Sequence, residues 1–240
     1  GVWTEKGDSQ ARFQQVSKWK KATALLAHFV SIEPSAADGG AWQGRLAVAL
    51  ALTFSRQRRF HSPDGKVIDP DSRFRSFLKF GEAASPKASP EGFLDTFLQL
   101  NAWEMRFIAG TRHSDEEMKW ARAFDNPVRL SADKEGASFC NRIGGSAVGI
   151  APRRNKNEFG VSVQSDNFYG GRPETLQELL VSGGVCGAMS TVGSGFFQVY
   201  GIPSITAGQP GHCAYLWQKR SKRDGGDKVE WCVGYDVGGW

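Results

Sequence analysis

Three residue types that can together carry out acyl transfer occur in the order Cys186, His212, Asp236. Cys186 stands in Ser182-Gly-Gly-Val-Cys-Gly-Ala-Met-Ser190, between a short helical pattern that opens at Pro173 and a helical run that ends at Tyr200-Gly201. The cysteine is therefore expected where a helix begins. There, unpaired N–H groups and the positive end of the helix dipole favour the thiolate, the nucleophilic form. The Cys186 N–H is a candidate oxyanion donor. Gly184, Gly187 and Gly211 are candidates for a groove that admits a substrate backbone. His212 follows the turn residues Gly208-Gln-Pro-Gly and leads an apolar, aromatic strand through Trp217. A second strand, Val229 to Val237, follows the polar segment Lys219 to Lys228, read as a loop with Asp224-Gly225 as its reversal signal. A hairpin symmetric about residue 224 sets His212 opposite Asp236, with Cβ atoms about 4.5–5.5 Å apart. A slip of one residue would send the two side chains to opposite faces. In the chemistry this predicts, a thiolate attacks a carbonyl, an imidazole protonates the leaving group, and a carboxylate orients the imidazole. Taken singly, each residue is more often structural: a small buried thiol, a hydrogen-bonded strand histidine, a strand-ending aspartate. Their joint order carries the reading.

The elements that position these residues read as two portions. Apolar residues from Ser9 to about Ile32 recur at helical spacing and predict a helix with one buried face, ended by Glu33-Pro34. Further helices are expected over 41–54 and 71–80, the latter after the turn residues His61-Ser-Pro-Asp-Gly65. Another begins near Ser85-Pro-Lys-Ala-Ser-Pro90 and carries the stripe Phe93, Phe97, Leu98, Trp103, Met105 and Ile108. Ser114-Asp-Glu-Glu117 matches a capping box for a helix up to Phe124. Trp3, Trp19, Trp42, Trp103 and Trp120 are expected in the core. Beyond about Leu130 glycine and β-formers increase, Glu158 to Val163 partly alternates, and Asn167 to Arg172 reads as a turn. The expected fold class is α+β: a mostly helical portion, residues 1–130, packed on a mixed portion, residues 131–240.

Composition narrows the classes. The 240 residues, 40% of them apolar, suffice for a sizeable core. The most apolar run, Leu46 to Phe54, is far shorter than the ~18 residues of a membrane span, and Gly1 to Asp8 has no targeting pattern, so a soluble protein is expected. The net charge is +5. Its basic residues are dispersed except at Arg153-Arg154-Asn-Lys156 and Lys219-Arg-Ser-Lys-Arg223, with no stacking motif beside them, so no nucleic-acid partner is expected. Cys140, Cys186, Cys213 and Cys232 have neither zinc spacing nor the density of a disulfide framework. No metal site and no cofactor are expected.

The runs Gly184-Val-Cys-Gly187, Tyr200-Gly-Ile-Pro203, Gly211-His-Cys-Ala-Tyr-Leu-Trp217 and Trp231-Cys-Val-Gly-Tyr-Asp236 resemble the transglutaminase-like core, over about residues 173–240. The resemblance implies a central helix carrying the cysteine against a small antiparallel sheet carrying His212 and Asp236. It also implies cofactor-free acyl transfer through a thioester, with a peptide or protein as substrate. Members of that superfamily include cross-linking enzymes, peptidases, peptide N-glycanases and inactive scaffolds. Its second oxyanion donor comes from an upstream side chain, for which Gln164, Asn167 and Tyr169 are the candidates here. The sequence departs from the family where Cys213, Ala214 and Tyr215 replace the tryptophan and acidic residue often found after the histidine, and where Lys219 to Lys228 exceeds the usual loop. Hydrolysis of a peptide or amide bond is expected ahead of cross-linking or deamidation, since no acidic calcium loop is present. A papain-type peptidase fits less well, because Gly187 stands where tryptophan would follow the nucleophile. A binding or scaffold domain that has lost activity is the remaining alternative.

Overall fold

The computed structural model describes residues 5–56, 60–83, 97–124, 143–223 and 226–235. It is a mixed α+β structure of helices and one small three-stranded antiparallel sheet. The helices are α1 (Glu5–Ile32), α2 (Trp42–Arg56), α3 (Pro70–Ala83), α4 (Ala102–Ala109), α5 (Asp115–Ala123), α6 (Ile143–Ile150), α7 (Leu176–Ser182) and α8 (Cys186–Val199), with a 3-10 turn at Pro34–Ala37. The strands are β1 (Ser204–Gln209), β2 (His212–Arg223) and β3 (Gly226–Gly234), paired in that order. None of the described helices is long and apolar enough to cross a membrane.

Local chemistry accounts for most boundaries. Asn101 closes a capping box with Glu104 at the start of α4. The expected continuous helix through Phe93 and Ile108 is thus interrupted at Leu100-Asn101, and residues 84–96 lie outside the described region. Ser114 caps α5 by accepting from Glu117 N–H. Glu117 does not complete the box, because its buried carboxylate accepts from His113 Nδ1 at 3.0 Å and from the Leu176 N–H at the first turn of α7. Arg73, buried on α3, donates to Asp115 at 2.7 Å and to the carbonyls of Thr111 and His113, tying α3 to the start of α5.

One apolar core runs from Phe29 on α1 through Leu50, Phe74 and Met105 to Phe196 on α8 and Tyr215 on β2. α8 lies at its centre. α6 crosses α8 so closely that a Cβ on Gly144 would sit 2.4 Å from the Gly193 carbonyl oxygen. This tertiary approach produces a helix where rising glycine content predicts strand and turn. Arg122 of α5 donates to the Val199 carbonyl at the far end of α8, at 2.8 Å.

Several expectations are corrected. From Gln15 onward α1 is mostly exposed, with Val16 at 52% and Trp19 at 58% exposure, and its contact with the core there is made by Ala22, Phe29 and neighbours. Trp103 is also exposed, at 62%, covered on one side by the Arg106 guanidinium 4.5 Å from its ring rather than by the core. Trp42 and Trp120 pack against the core; Trp3 lies outside the described residues. The alternation from Glu158 to Val163 forms no strand. Asn157 Oδ1 accepts from the Phe159 and Val161 N–H groups and bends the segment into turns. The polar segment 219–228 is a paired ladder rather than a loop, with Lys219 opposite Glu230 and Arg223 opposite Gly226.

Candidate functional site

The loop before α8 is held by backbone. Gly184 N–H donates to Pro152 O at 3.1 Å and Arg154 N–H to Gly184 O at 3.0 Å, and Tyr169 Oη donates to Gly183 O at 3.1 Å. Gly183 has φ 69° and lies so near Pro152 O that a Cβ would stand 1.8 Å from it, so only glycine fits. The chain emerges extended at Val185, which caps α8 with no side-chain hydrogen bond, and Cys186 is the first helical residue. The first backbone bond of the helix is Met189 N–H to Val185 O. The N–H groups of Cys186, Gly187 and Ala188 therefore have no carbonyl within the helix to pair with. Cys186 is half-buried beneath this positive end.

β2 meets α8 along one face. Tyr215 lies against Gly193, where a Cβ would come 2.4 Å from its ring, and Trp217 stacks on Phe197 with centroids 5.1 Å apart. Side chains alternate along a strand, so Cys213 shares this face with Tyr215 and Trp217. Burial raises the Cys213 pKa above its ordinary value, and the neighbouring Cys186 adds to the rise.

His212 opens β2 immediately after Pro210-Gly211, with Gly211 at φ 70°. Proline followed by a positive-φ residue is the chemistry of a type II turn. The imidazole Nε2 lies 2.8 Å from the carbonyl oxygen of Tyr235. A carbonyl only accepts, so Nε2 carries the hydrogen and Nδ1 of the neutral ring holds a lone pair. Tyr235 has left the strand in a left-handed conformation, φ 58°. Its ring lies 5.6 Å from that of His212, and the Arg153 guanidinium stands 4.9 Å over it. Arg153 is itself bridged through backbone to Gly184, so a continuous set of contacts runs from the Cys186 loop to His212.

The pairing of β2 and β3 differs by one residue from a hairpin centred on residue 224. Tyr215 faces Gly234 rather than Val233. The closing pair Arg223↔Gly226 leaves residues 224 and 225 between the strands. A two-residue connection places the centre of symmetry between residues, not on one. Asp236 lies outside the described residues. Among the described residues the partner of His212 is the main chain of Tyr235, and no hydrogen bond joins Cys186 to His212.

The remaining candidates separate clearly. Tyr169 reaches the loop before Cys186, its hydroxyl 3.2 Å from the position a Gly184 Cβ would take, and burial with help from Glu174 and Glu178 pushes its pKa up to about 12. Gln164 and Asn167 are exposed on the preceding turns. Gly187 and Gly211 are exposed, and a Cβ on either would meet nothing within 4 Å. Gly184 is buried against Ala188 and Tyr169, so its missing side chain serves packing rather than an open groove. No three His, Cys, Asp or Glu side chains among the described residues gather as metal ligands would.

Comparison with protein-family models, with curated proteins and with solved structures returns no match for this chain. The site thus stands on its own geometry. Sequence reasoning missed Cys213, Tyr235 and Arg153. The place of Cys213 on the face toward α8 depends on how α8 crosses β2, and Tyr235 acts through its backbone. The Arg153 run was visible only as a basic segment.

Proposed function

We propose that the chain is a cysteine-nucleophile acyl-transfer enzyme with a transglutaminase-like core, hydrolysing a peptide or amide bond. The observation that carries the reading is the setting of Cys186 at the uncapped N-terminus of α8, packed on a strand that opens with a histidine whose Nε2 is already held. In this reading the Cys186 thiolate attacks the substrate carbonyl, and the unpaired N–H groups of the first turn receive the developing oxyanion. His212 takes up the thiol proton at Nδ1 and returns it to the leaving amine, forming a thioester. Water, activated by the same nitrogen, then releases the acid and restores the thiol. An amine in place of water would make the same site a cross-linking enzyme. Asp236, next in sequence to Tyr235, would add its carboxylate to the carbonyl that orients the ring.

A second reading, a binding domain that keeps the architecture without the activity, is favoured by one observation: among the described residues no hydrogen bond joins Cys186 to His212, whose imidazole is held by the Tyr235 carbonyl. The rate of iodoacetamide alkylation against pH, read peptide by peptide in the wild type and in His212→Ala, separates the two. Under the enzyme reading Cys186 reacts well below the ~8.5 of a free thiol and loses this low-pH reactivity in the variant. A Cys186 whose profile ignores the substitution would leave the binding domain as the function.

A further inference from the structure

We propose, resting on the acyl-transfer reading of Cys186 and His212, that Arg153 makes this site selective for an anionic acyl donor. Its guanidinium receives a carboxylate that the substrate carries close to the scissile carbonyl. Arg153 opens the basic run Arg153-Arg154-Asn-Lys156, and its main chain is fixed from both sides. Gly184 N–H donates to Pro152 O at 3.1 Å and Arg154 N–H to Gly184 O at 3.0 Å, a parallel bridge two residues before the nucleophile. The side chain is fixed at its other end. The guanidinium stands 4.9 Å over the Tyr235 ring, and that ring lies 5.6 Å from the ring of His212. One residue thus spans the loop that delivers the thiol and the residue whose carbonyl holds the imidazole.

The charge at this junction has no counterpart among the described residues. Arg154 has the Glu158 carboxylate 4.0 Å away, whereas the Arg153 side chain makes neither an ion pair nor a hydrogen bond there, and its one contact is the Tyr235 ring. A cation–π contact uses none of the five N–H donors of a guanidinium. They stay available to a planar carboxylate, which a guanidinium binds bidentately. Arg153 is exposed, so a substrate can displace the water on those donors. Gly187, also exposed and with nothing within 4 Å of a would-be Cβ, leaves the first turn of α8 open to the same substrate. Two negative groups then have separate receivers: the unpaired N–H groups of that turn take the oxyanion, and Arg153 takes the carboxylate. At a solvent-exposed site one such charge pair changes a rate by about three- to tenfold.

The test alkylates Cys186 of the full chain with two reagents that differ in charge, iodoacetate and iodoacetamide, with 2-mercaptoethanol as reference thiol. The rate ratio of iodoacetate to iodoacetamide, read on the Cys186 peptide by mass spectrometry, is expected above that of the reference. Arg153→Gln lowers the ratio about three- to tenfold, Arg153→Lys keeps most of it, and salt at about 1 M lowers it more in the wild type than in Arg153→Gln. Arg154→Gln, at a charge already met by Glu158, leaves the ratio within about twofold. N-iodoacetyl-glutamate amide and N-iodoacetylglycine, each against its neutral amide, separate an acidic side chain from a chain end. The probe with the larger dependence on Arg153 names the source of the carboxylate. A ratio equal in the wild type and Arg153→Gln, an equal fall in Arg154→Gln, or a Cys186 that neither reagent reaches overturns the proposal. A ratio that depends on Arg153 while iodoacetamide uptake ignores His212→Ala keeps the anion site and removes the enzyme. Uptake that needs His212 with a ratio that ignores Arg153 keeps the enzyme and removes its selectivity for anions.

Discussion

Replacing Gly193 by alanine tests whether α8 and β2 are fitted to each other at van der Waals distance. In an exposed helix this change stabilises by about 1 kcal/mol, since alanine loses less backbone entropy. Here the new Cβ would lie 2.4, 2.5 and 2.8 Å from three carbons of the Tyr215 ring. Carbon atoms rest about 3.5–4.0 Å apart, so ring and helix must separate by roughly 1 Å. The ring cannot retreat, because Gly234 closes its far side at 2.3 Å from a would-be Cβ. Overpacking of this kind costs about 1–3 kcal/mol, and against the helix gain the net effect is a loss of about 0–2 kcal/mol in place of the gain. For a chain of this size that lowers the melting temperature by up to about 8 °C, where the helix gain alone would raise it. The assay is thermal and urea unfolding of Gly193→Ala, Tyr215→Leu and the double variant. Removing the ring relieves the clash, so the double variant is more stable than the sum of the singles predicts, by about 1 kcal/mol or more. Gly187→Ala is the control: it sits on the same helix, is exposed and meets nothing within 4 Å, so it should keep the helix gain and stabilise by up to about 1 kcal/mol. A Gly193→Ala protein more stable than the wild type by the full helix gain, or with no coupling to residue 215, would refute the fitted interface.

Glu117→Ala leaves the Leu176 N–H and His113 without their shared carboxylate and should cost about 2–4 kcal/mol in urea unfolding, whereas Glu117→Gln keeps an acceptor and most of the stability. Arg73→Met abandons Asp115 and two buried carbonyls, and a loss of about 3–5 kcal/mol is expected in the same assay. Burial holds the Tyr215 phenol neutral up to about 12 rather than 10.0. Because its folded value is raised, its contribution to stability, of order 3 kcal/mol, is complete below pH 10 and disappears as pH rises through 12. Phenolate absorbance of the wild type minus Tyr215→Phe should show this late titration.

The helices that end on local signals were legible in the sequence. Ser114, one residue before α5, and the Tyr200-Gly201 stop of α8 fall where side-chain capping and glycine place them. Glu117 shows where such signals fail: the box spacing was present, but His113 one turn back and the distant Leu176 N–H hold the carboxylate. β1 was not foreseen, because its six residues lie between two turn motifs and form a strand only by pairing with β2. Cys186 at a helix start and His212 at a strand start follow from turn residues alone. Their surroundings do not, since whichever thiol or carbonyl comes near depends on the crossing of α8 over β2 and on a register set by the length of the turn.

The bond that orients His212 comes from the main chain of Tyr235, so no letter of the sequence encodes it. An alanine scan would pass over residue 235 and leave the acceptor in place. What selection can act on is the backbone conformation, a φ of 58° that most side chains tolerate poorly. Drift at this position should therefore favour glycine, asparagine and aspartate over β-branched residues. A relative carrying valine there would differ in the aim of its imidazole while keeping every side chain of the proposed triad.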